Sequence, residues 1–236
     1  MTEEAPAPQP ATEDPTAAAT ERPLAVRLER VARRFGREQV LRGLSLRLPA
    51  GRIVALRGSN GSGKTTLLRL LATRLRPSSG RASVFGRDLV REAAAVRREV
   101  AYLAVHGGSY GTLTARENLR LACVLTGAPQ DGVDAELARV GLSEHADRPV
   151  RVFSSGMKRR LGLARLALRD AALWLLDEPY ASLDEEGREL VDDLLSRARA
   201  RGRTVLIASH EPERLAGRID ASITIDRGVL LHGATE

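Results

Sequence analysis

Apolar and polar positions alternate in Ala25-Val26-Arg27-Leu28 and again in Leu44-Ser45-Leu46-Arg47-Leu48, the period of a half-buried strand. Arg52-Ile53-Val54-Ala55-Leu56-Arg57 follows Gly51 and reads as a third strand. The period then changes. A glycine-rich turn leads into Thr65-Thr66-Leu67-Leu68-Arg69-Leu70-Leu71, where the apolar spacing is helical. Mostly helical patterns fill 92–150, among them 114–125 and 134–140, and predict a helical subdomain of about 92–165 inserted into an α/β body. Beyond 150 the pattern predicts helix 155–169, strand 172–177, helix 185–200 and strand 203–209. Such alternation implies parallel strands joined by crossover helices. Ile223-Thr224-Ile225 and Val229-Leu230-Leu231 flank Asp226-Arg227-Gly228, a hairpin closing the domain.

Composition adds constraints. The chain has 236 residues, 43% hydrophobic and 28% charged, enough to bury a globular core. Aromatics are only 3%, so that core must be Leu, Val, Ala and Ile. Residues 1–22 are rich in Ala, Pro, Thr and Glu, cannot bury enough apolar surface to offset their ordering entropy, and read as a disordered tail before one domain at 23–236. That tail carries five acids and one base, so a net charge of +7 overall leaves +11 on the body. Only Lys64 and Lys158 are lysines. The other cations are arginines spread along the chain, which points to compositional bias rather than to a nucleic-acid footprint. No nucleic-acid partner is expected. Cys123 stands alone in Leu121-Ala122-Cys123-Val124-Leu125, which excludes a disulfide framework and a cysteine metal site. The N-terminus lacks the apolar segment of a secretory signal. No apolar run approaches the roughly 20 residues of a membrane helix. Any membrane role is expected to be that of a peripheral subunit.

Three segments carry candidate chemistry. Gly58-Ser59-Asn60-Gly61-Ser62-Gly63-Lys64-Thr65 matches G-x-x-x-x-G-K-[ST], with Thr66 following in the first helical turn. Glycines let the backbone curl so that successive N–H groups face a phosphate, and the helix N-terminus adds its positive dipole end. Lys64 is placed to reach the β- and γ-phosphates, and Thr65 to ligate Mg²⁺. In this composition roughly 0.002 chance matches are expected, so the loop alone argues for nucleotide binding. Leu173-Trp174-Leu175-Leu176-Asp177-Glu178 is an apolar run ending in two acids, as a buried parallel strand would read. At such carboxyl ends ligands bind. Asp177 would hold Mg²⁺ and Glu178 would polarise the attacking water. Phe153-Ser154-Ser155-Gly156-Met157 opens a basic amphipathic helix. As bare residues this is either a capped helix or a second anion site, and nothing in them says whose anion.

These motifs, followed by Ala181-Ser182-Leu183-Asp184 and by Ser209-His210 after the next strand, stand in the order and spacing of the ABC ATPases. The chain resembles that family over about residues 24–233. The resemblance implies an α/β fold with a P-loop NTPase core of ABC type, an N-terminal antiparallel β subdomain and the inserted helical subdomain. It implies that Ser154 and Gly156 contact the γ-phosphate of ATP bound to the opposite subunit. Asp184 would lie at the dimer interface, and His210 would bind the γ-phosphate. Phe35 stands where the family stacks an aromatic on adenine, although as a bare residue it reads as core. Ser155 replaces a family glycine, and Met157 replaces the usual Gln. The Gln expected after Ala101-Tyr102-Leu103 is missing. His106 aligns with it best, either holding a water or as a solvated loop histidine. The implied machine uses ATP and Mg²⁺, acts as a homodimer or a heterodimer with another ABC ATPase, and docks on a separate transmembrane permease at the cytoplasmic face of the membrane. The segments 102–119 and 153–168 are similar to the ATPase subunit of the cytochrome c maturation haem exporter, and also to short drug-export ATPases. A soluble ABC ATPase for Fe–S assembly or nucleic acid is the remaining alternative. A single ATPase unit with no coiled-coil insert argues against it.

Overall fold

The computed structural model describes residues 23–105, 108–169 and 171–231. The expectations for the 1–22 tail and for His106 lie outside the described residues. Strands β1 (Leu24–Phe35) and β2 (Glu38–Pro49) form a long antiparallel hairpin turning at Gly36-Arg37. β4 (Ser79–Val84) pairs antiparallel with β1, and β5 (Arg87–Asp88) with β4, giving a four-stranded sheet of order β2-β1-β4-β5. The second sheet has six strands. β3 (Ile53–Arg57), β6 (Val100–Leu103), β7 (Leu173–Asp177), β8 (Thr204–Ala208), β9 (Ala221–Asp226) and β10 (Val229–Leu231) lie in the order β10-β9-β3-β8-β7-β6. All its pairings are parallel except β9 with β10. Every residue of β6, β7 and β8 is buried, as strands covered on both faces must be.

One face of this sheet packs on the antiparallel sheet and on α1 (Lys64–Leu71), around Leu28, Leu44, Leu68 and Leu206. The other face packs on helices α3 (Ala115–Thr126), α4 (Val133–Arg139), α5 (Ser155–Ala167) and α6 (Glu185–Ala200), around Leu119, Leu137, Trp174 and Leu195. α2 (Ala93–Glu99) and α7 (Pro212–Leu215) are short. Local signals set the helix ends. Thr114 caps α3 in a capping box with Glu117, and the helix stops at Gly127 with φ 72°. Ser154 and Asp184 cap α5 and α6 through their side chains. No helix among the described residues is long and apolar enough to cross a membrane.

One element departs from expectation. Val100–Leu103, inside the stretch read as mostly helical, is a strand of the main sheet. Four consecutive buried residues carry neither a period of 2 nor of 3.6, so the pattern could not tell strand from helix.

The terminal hairpin of the sheet braces the phosphate-loop segment. The Gly228 amide donates to the Ser62 carbonyl (3.0 Å), and the Arg42 amide donates to the Gly228 carbonyl (2.8 Å). Gly228 has φ 79°, and a Cβ there would overlap the Val40 carbonyl oxygen. Gly228→Ala is therefore expected to cost about 2–3 kcal/mol in denaturant unfolding. It should also weaken ATP binding, measured by titration, because the hydrogen bond to the loop shifts with it.

Candidate active site

The loop between β3 and α1 is curled by its glycines. Gly58 (φ 148°) lies so close to the Ile225 carbonyl that a Cβ would overlap it. Gly63 (φ 112°) caps α1 in a left-handed conformation. The first intrahelical bond runs from Leu67 N to Gly63 O (2.9 Å), so the amides of Lys64, Thr65 and Thr66 sit in the unpaired first turn. That is the donor set an anion uses. The Ser62 hydroxyl is buried with no partner. The Lys64 ammonium donates to the carbonyls of Gly58 (2.8 Å) and Ser59 (3.0 Å), which folds it across the loop and leaves its third proton free. Asn60 and Gly61 form the exposed crest.

The two acids ending β7 stand beside this loop. The Thr65 hydroxyl donates to Asp177 Oδ1 (3.0 Å), and the Tyr102 hydroxyl donates to Asp177 Oδ2 (3.1 Å). Asp177 is 1% exposed. Glu178 takes a left-handed backbone (φ 49°), held by its amide bond to the Ala208 carbonyl (2.8 Å) and by the Ala181 amide on its own carbonyl (3.1 Å). Non-glycine residues in that region are uncommon and cluster at functional sites. Both carboxylate oxygens of Glu178 face His210: the backbone amide lies 3.2 Å from Oε2 and Nε2 lies 3.3 Å from Oε1. Lys64, Thr65, Asp177, Glu178 and His210 thus converge where β3, β7 and β8 end.

Ser154, Gly156 and Asp184 do not join them. They line a separate cavity of about 500 Å³ with Gly141, His145, Arg160 and Ser182. The Ser154 hydroxyl accepts from the Met157 amide (3.2 Å). A Cβ on Gly156 would lie 3.0 Å from the Ser182 carbonyl. Arg160 donates to Asp184 (2.8 Å) and, with the Gly187 amide, holds that carboxyl below its usual range. Phe35 stands apart from both groups, at the tip of the β1–β2 hairpin. It is 43% exposed, outside the core, and the Arg33 guanidinium covers one ring face at 4.5 Å.

Sequence reasoning missed two residues at the site. One is Tyr102, whose hydroxyl is the second partner of Asp177. Its signal was a lone polar atom in an apolar run. The other is Arg159, buried at 7% exposure, which donates to the carbonyls of Ala104 (2.8 Å) and Val105 (3.2 Å). The basic run 158–160 hid it.

A further cavity lies elsewhere. A groove of about 1090 Å³ opens between α2, α3 and α5, lined by Arg74, Arg97, Arg98, Arg165 and Arg169 and, among the described residues, by no acid. Tyr110, Leu121 and Leu125 add apolar surface. Burial, then the neighbouring Arg74 and Arg169, pulls Arg165 down to about 10.

Residues 41–181 match the family model for ABC transporters. The chain is 38% identical over 218 residues to the daunorubicin resistance ATP-binding protein DrrA3 of Streptomyces coeruleorubidus, covering 89% of this chain and 68% of that protein. It is 43% identical over 184 residues to the cytochrome c biogenesis ATP-binding export protein CcmA of Bordetella bronchiseptica (76% and 80% covered), and 38% identical over 178 residues to CcmA of Pseudomonas aeruginosa (75% and 88%). Among solved structures it superposes on an ATP-binding subunit of an ABC transporter with TM-score 0.83, at 24% identity over 89% of this chain and 90% of that one. It also superposes on a bacterial Atm1-family ABC exporter with ATP bound, with TM-score 0.78, at 25% identity over 89% and 38%. The chain belongs to the ABC transporter family, as an ATP-binding and ATP-hydrolysing subunit with the P-loop NTPase fold of that family.

The Tyr102–Asp177 contact has a pH signature. Burial, and then the Asp177 charge, pushes the Tyr102 phenol from 10.0 up to about 12. A raised folded value means that its contribution to stability is complete below pH 10 and is lost as pH climbs toward 12. Tyr102→Phe is expected to be about 1 kcal/mol less stable at neutral pH. That deficit should shrink above pH 10, read from denaturant melts across the alkaline range.

Proposed function

We propose that this chain powers an exporter whose membrane-spanning part is a separate permease, at the cytoplasmic face, and that it acts in pairs. The observation that carries this is the division of the site. Lys64, Thr65, Asp177, Glu178 and His210 form one half, and Ser154, Gly156 and Asp184 form another on the same chain. Two copies, or one copy and a related ATPase, placed head to tail make each half meet the other across ATP. The helical segment that follows β6, as far as about residue 165, then presents the second half to the partner's nucleotide.

In this reading the amides of residues 60–66 cradle the β- and γ-phosphates and the free Lys64 proton points to them. Phe35 offers its open ring face to adenine. Thr65 Oγ1 and Asp177 Oδ1, 3.0 Å apart, are hard oxygen donors of the kind that hold Mg²⁺. Bound there, the ion supplies charge neutralisation on the phosphates. Glu178 orients a water in line with the γ-phosphorus and accepts its proton as the bond to the leaving ADP oxygen breaks. His210 leaves Glu178 for the γ-phosphate, freeing the carboxylate for that water. Ser154 Oγ and the first-turn amides of α5 stabilise the same charge from across the interface.

The arginine-lined groove is where an acid-bearing permease segment docks. Haem for cytochrome c biogenesis is the cargo favoured here, supported by the several CcmA relatives. A drug is the second reading, supported by the alignment to DrrA3, which spans more of this chain.

Glu178→Gln should keep ATP affinity, lose hydrolysis by a factor of about 100 or more and accumulate an ATP-bound dimer in size-exclusion chromatography. Wild-type turnover in that variant would refute the role given to Glu178. Lys64→Ala should weaken ATP binding at least tenfold. Co-purified with its permease in vesicles, the chain should show ATPase activity stimulated by haem. Stimulation by an anthracycline instead would select the drug exporter.

A further inference from the structure

Arg159 is unusual among the 35 arginines of this chain. Most of the others lie along the surface. This one is 7% exposed and spends two of its nitrogens on backbone carbonyls of one strand end: Nη1 to Ala104 at 2.8 Å, Nη2 to Val105 at 3.2 Å. A guanidinium is costly to bury and stays charged, so its position must be compensated. Burial pushes its pKa down, and Asp177 and Glu178, the two carboxylates assigned above to the metal ion and the water, oppose that together with Tyr102. The helix is brought close enough for this contact by a small residue. Gly162 lies one turn after Arg159 on the same face of α5, and a Cβ there would come within 2.8 Å of Leu103 Cδ1 on β6.

The carboxyl end of β6 is therefore fastened twice. Tyr102 ties it to Asp177 on the neighbouring strand (3.1 Å). Arg159 ties Ala104 and Val105 to α5. That helix begins at Ser154, whose hydroxyl and first-turn amides form part of the other half-site. One rigid helix thus touches the half-site offered to a partner at its start and the strand beside this chain's own acids five residues later.

We propose that Arg159 is a positioning residue: it locks the end of β6 and α5 against the Asp177–Glu178 pair, and so ties the signature helix to the chemical step within the same chain. It touches neither nucleotide nor water. Removing it leaves the Ala104 and Val105 carbonyls unpaired and takes a buried cation from among the charges that act with Asp177 and Glu178. The acids then hold the wrong geometry for in-line attack, while the phosphate loop, built by β3 and α1, is untouched. The inference rests on the roles given above to Asp177 and Glu178.

The test uses the full chain with its permease and compares Arg159→Met, Arg159→Lys and wild type. Arg159→Met is expected to lower kcat at least tenfold while the Kd for ATP stays within about twofold and one ATP still binds per chain. Arg159→Lys keeps the charge but has no planar fork to span two carbonyls, and is expected to fall between the two. Added to Glu178→Gln, Arg159→Met should leave the ATP-bound dimer intact. A kcat within twofold of wild type in Arg159→Met would overturn the proposal. So would parallel loss of kcat, ATP affinity and binding stoichiometry, which marks a general packing role. Undiminished hydrolysis by Glu178→Gln alone would instead remove the site assignment on which the proposal stands.

Discussion

Everything at the site depends on the parallel register of three strands. Leu56 on β3 lies opposite Ala208 on β8, and Ala208 lies opposite Asp177 on β7. The strands therefore end on one line, and the chain leaves each of them with different chemistry: a glycine loop, an acid pair and a histidine. A slip of one residue would turn each side chain to the opposite face. Such a slip is blocked because both faces of these strands are buried, so it would strand the acids in one core and leucines at the ligand edge. The bond from the Glu178 amide to the Ala208 carbonyl is the last rung of this ladder, and it sets the left-handed turn that aims Glu178.

What was legible in the sequence follows from which signals are local. The phosphate loop could be read because its chemistry demands glycine and lysine at fixed spacing. The run 173–177 could be read because burial on both faces leaves no polar residue until the ligand edge. Strands β1 and β2 were read only in part. β1 passes through Arg30 at φ 49° with register shifts around it, and each shift breaks the alternation that would reveal a strand. Polar Ser79-Gly80-Arg81 in β4 carries no strand signal at all. Arg159 and Tyr102 were left unassigned for a different reason. Their roles come from partners 54 to 75 residues away, and a charged residue on a helix looks the same whether it faces water or a carbonyl.

Charge divides the molecule by function. At the ligand edge Lys64 rests on carbonyls, Arg159 on carbonyls, and Arg160 on Asp184 and Glu186. In the groove between α2, α3 and α5 five arginines gather with no acid among the described lining residues. Crowded like charge in a partly buried groove is unfavourable until something anionic arrives. A surface of this kind stores a preference for its partner, and the same repulsion discourages a cationic segment from docking in its place.

The curl of the phosphate loop is held by bonds internal to the protein: Ser62 to Ser59, Gly228 to Ser62, and Lys64 to Gly58 and Ser59. Its shape does not wait for a phosphate to impose it. The entropy of ordering these residues is incurred when the domain folds, and nucleotide capture has no loop closure to accomplish. What preorganisation saves is the ordering cost of binding, so more of each phosphate contact is left to appear as affinity.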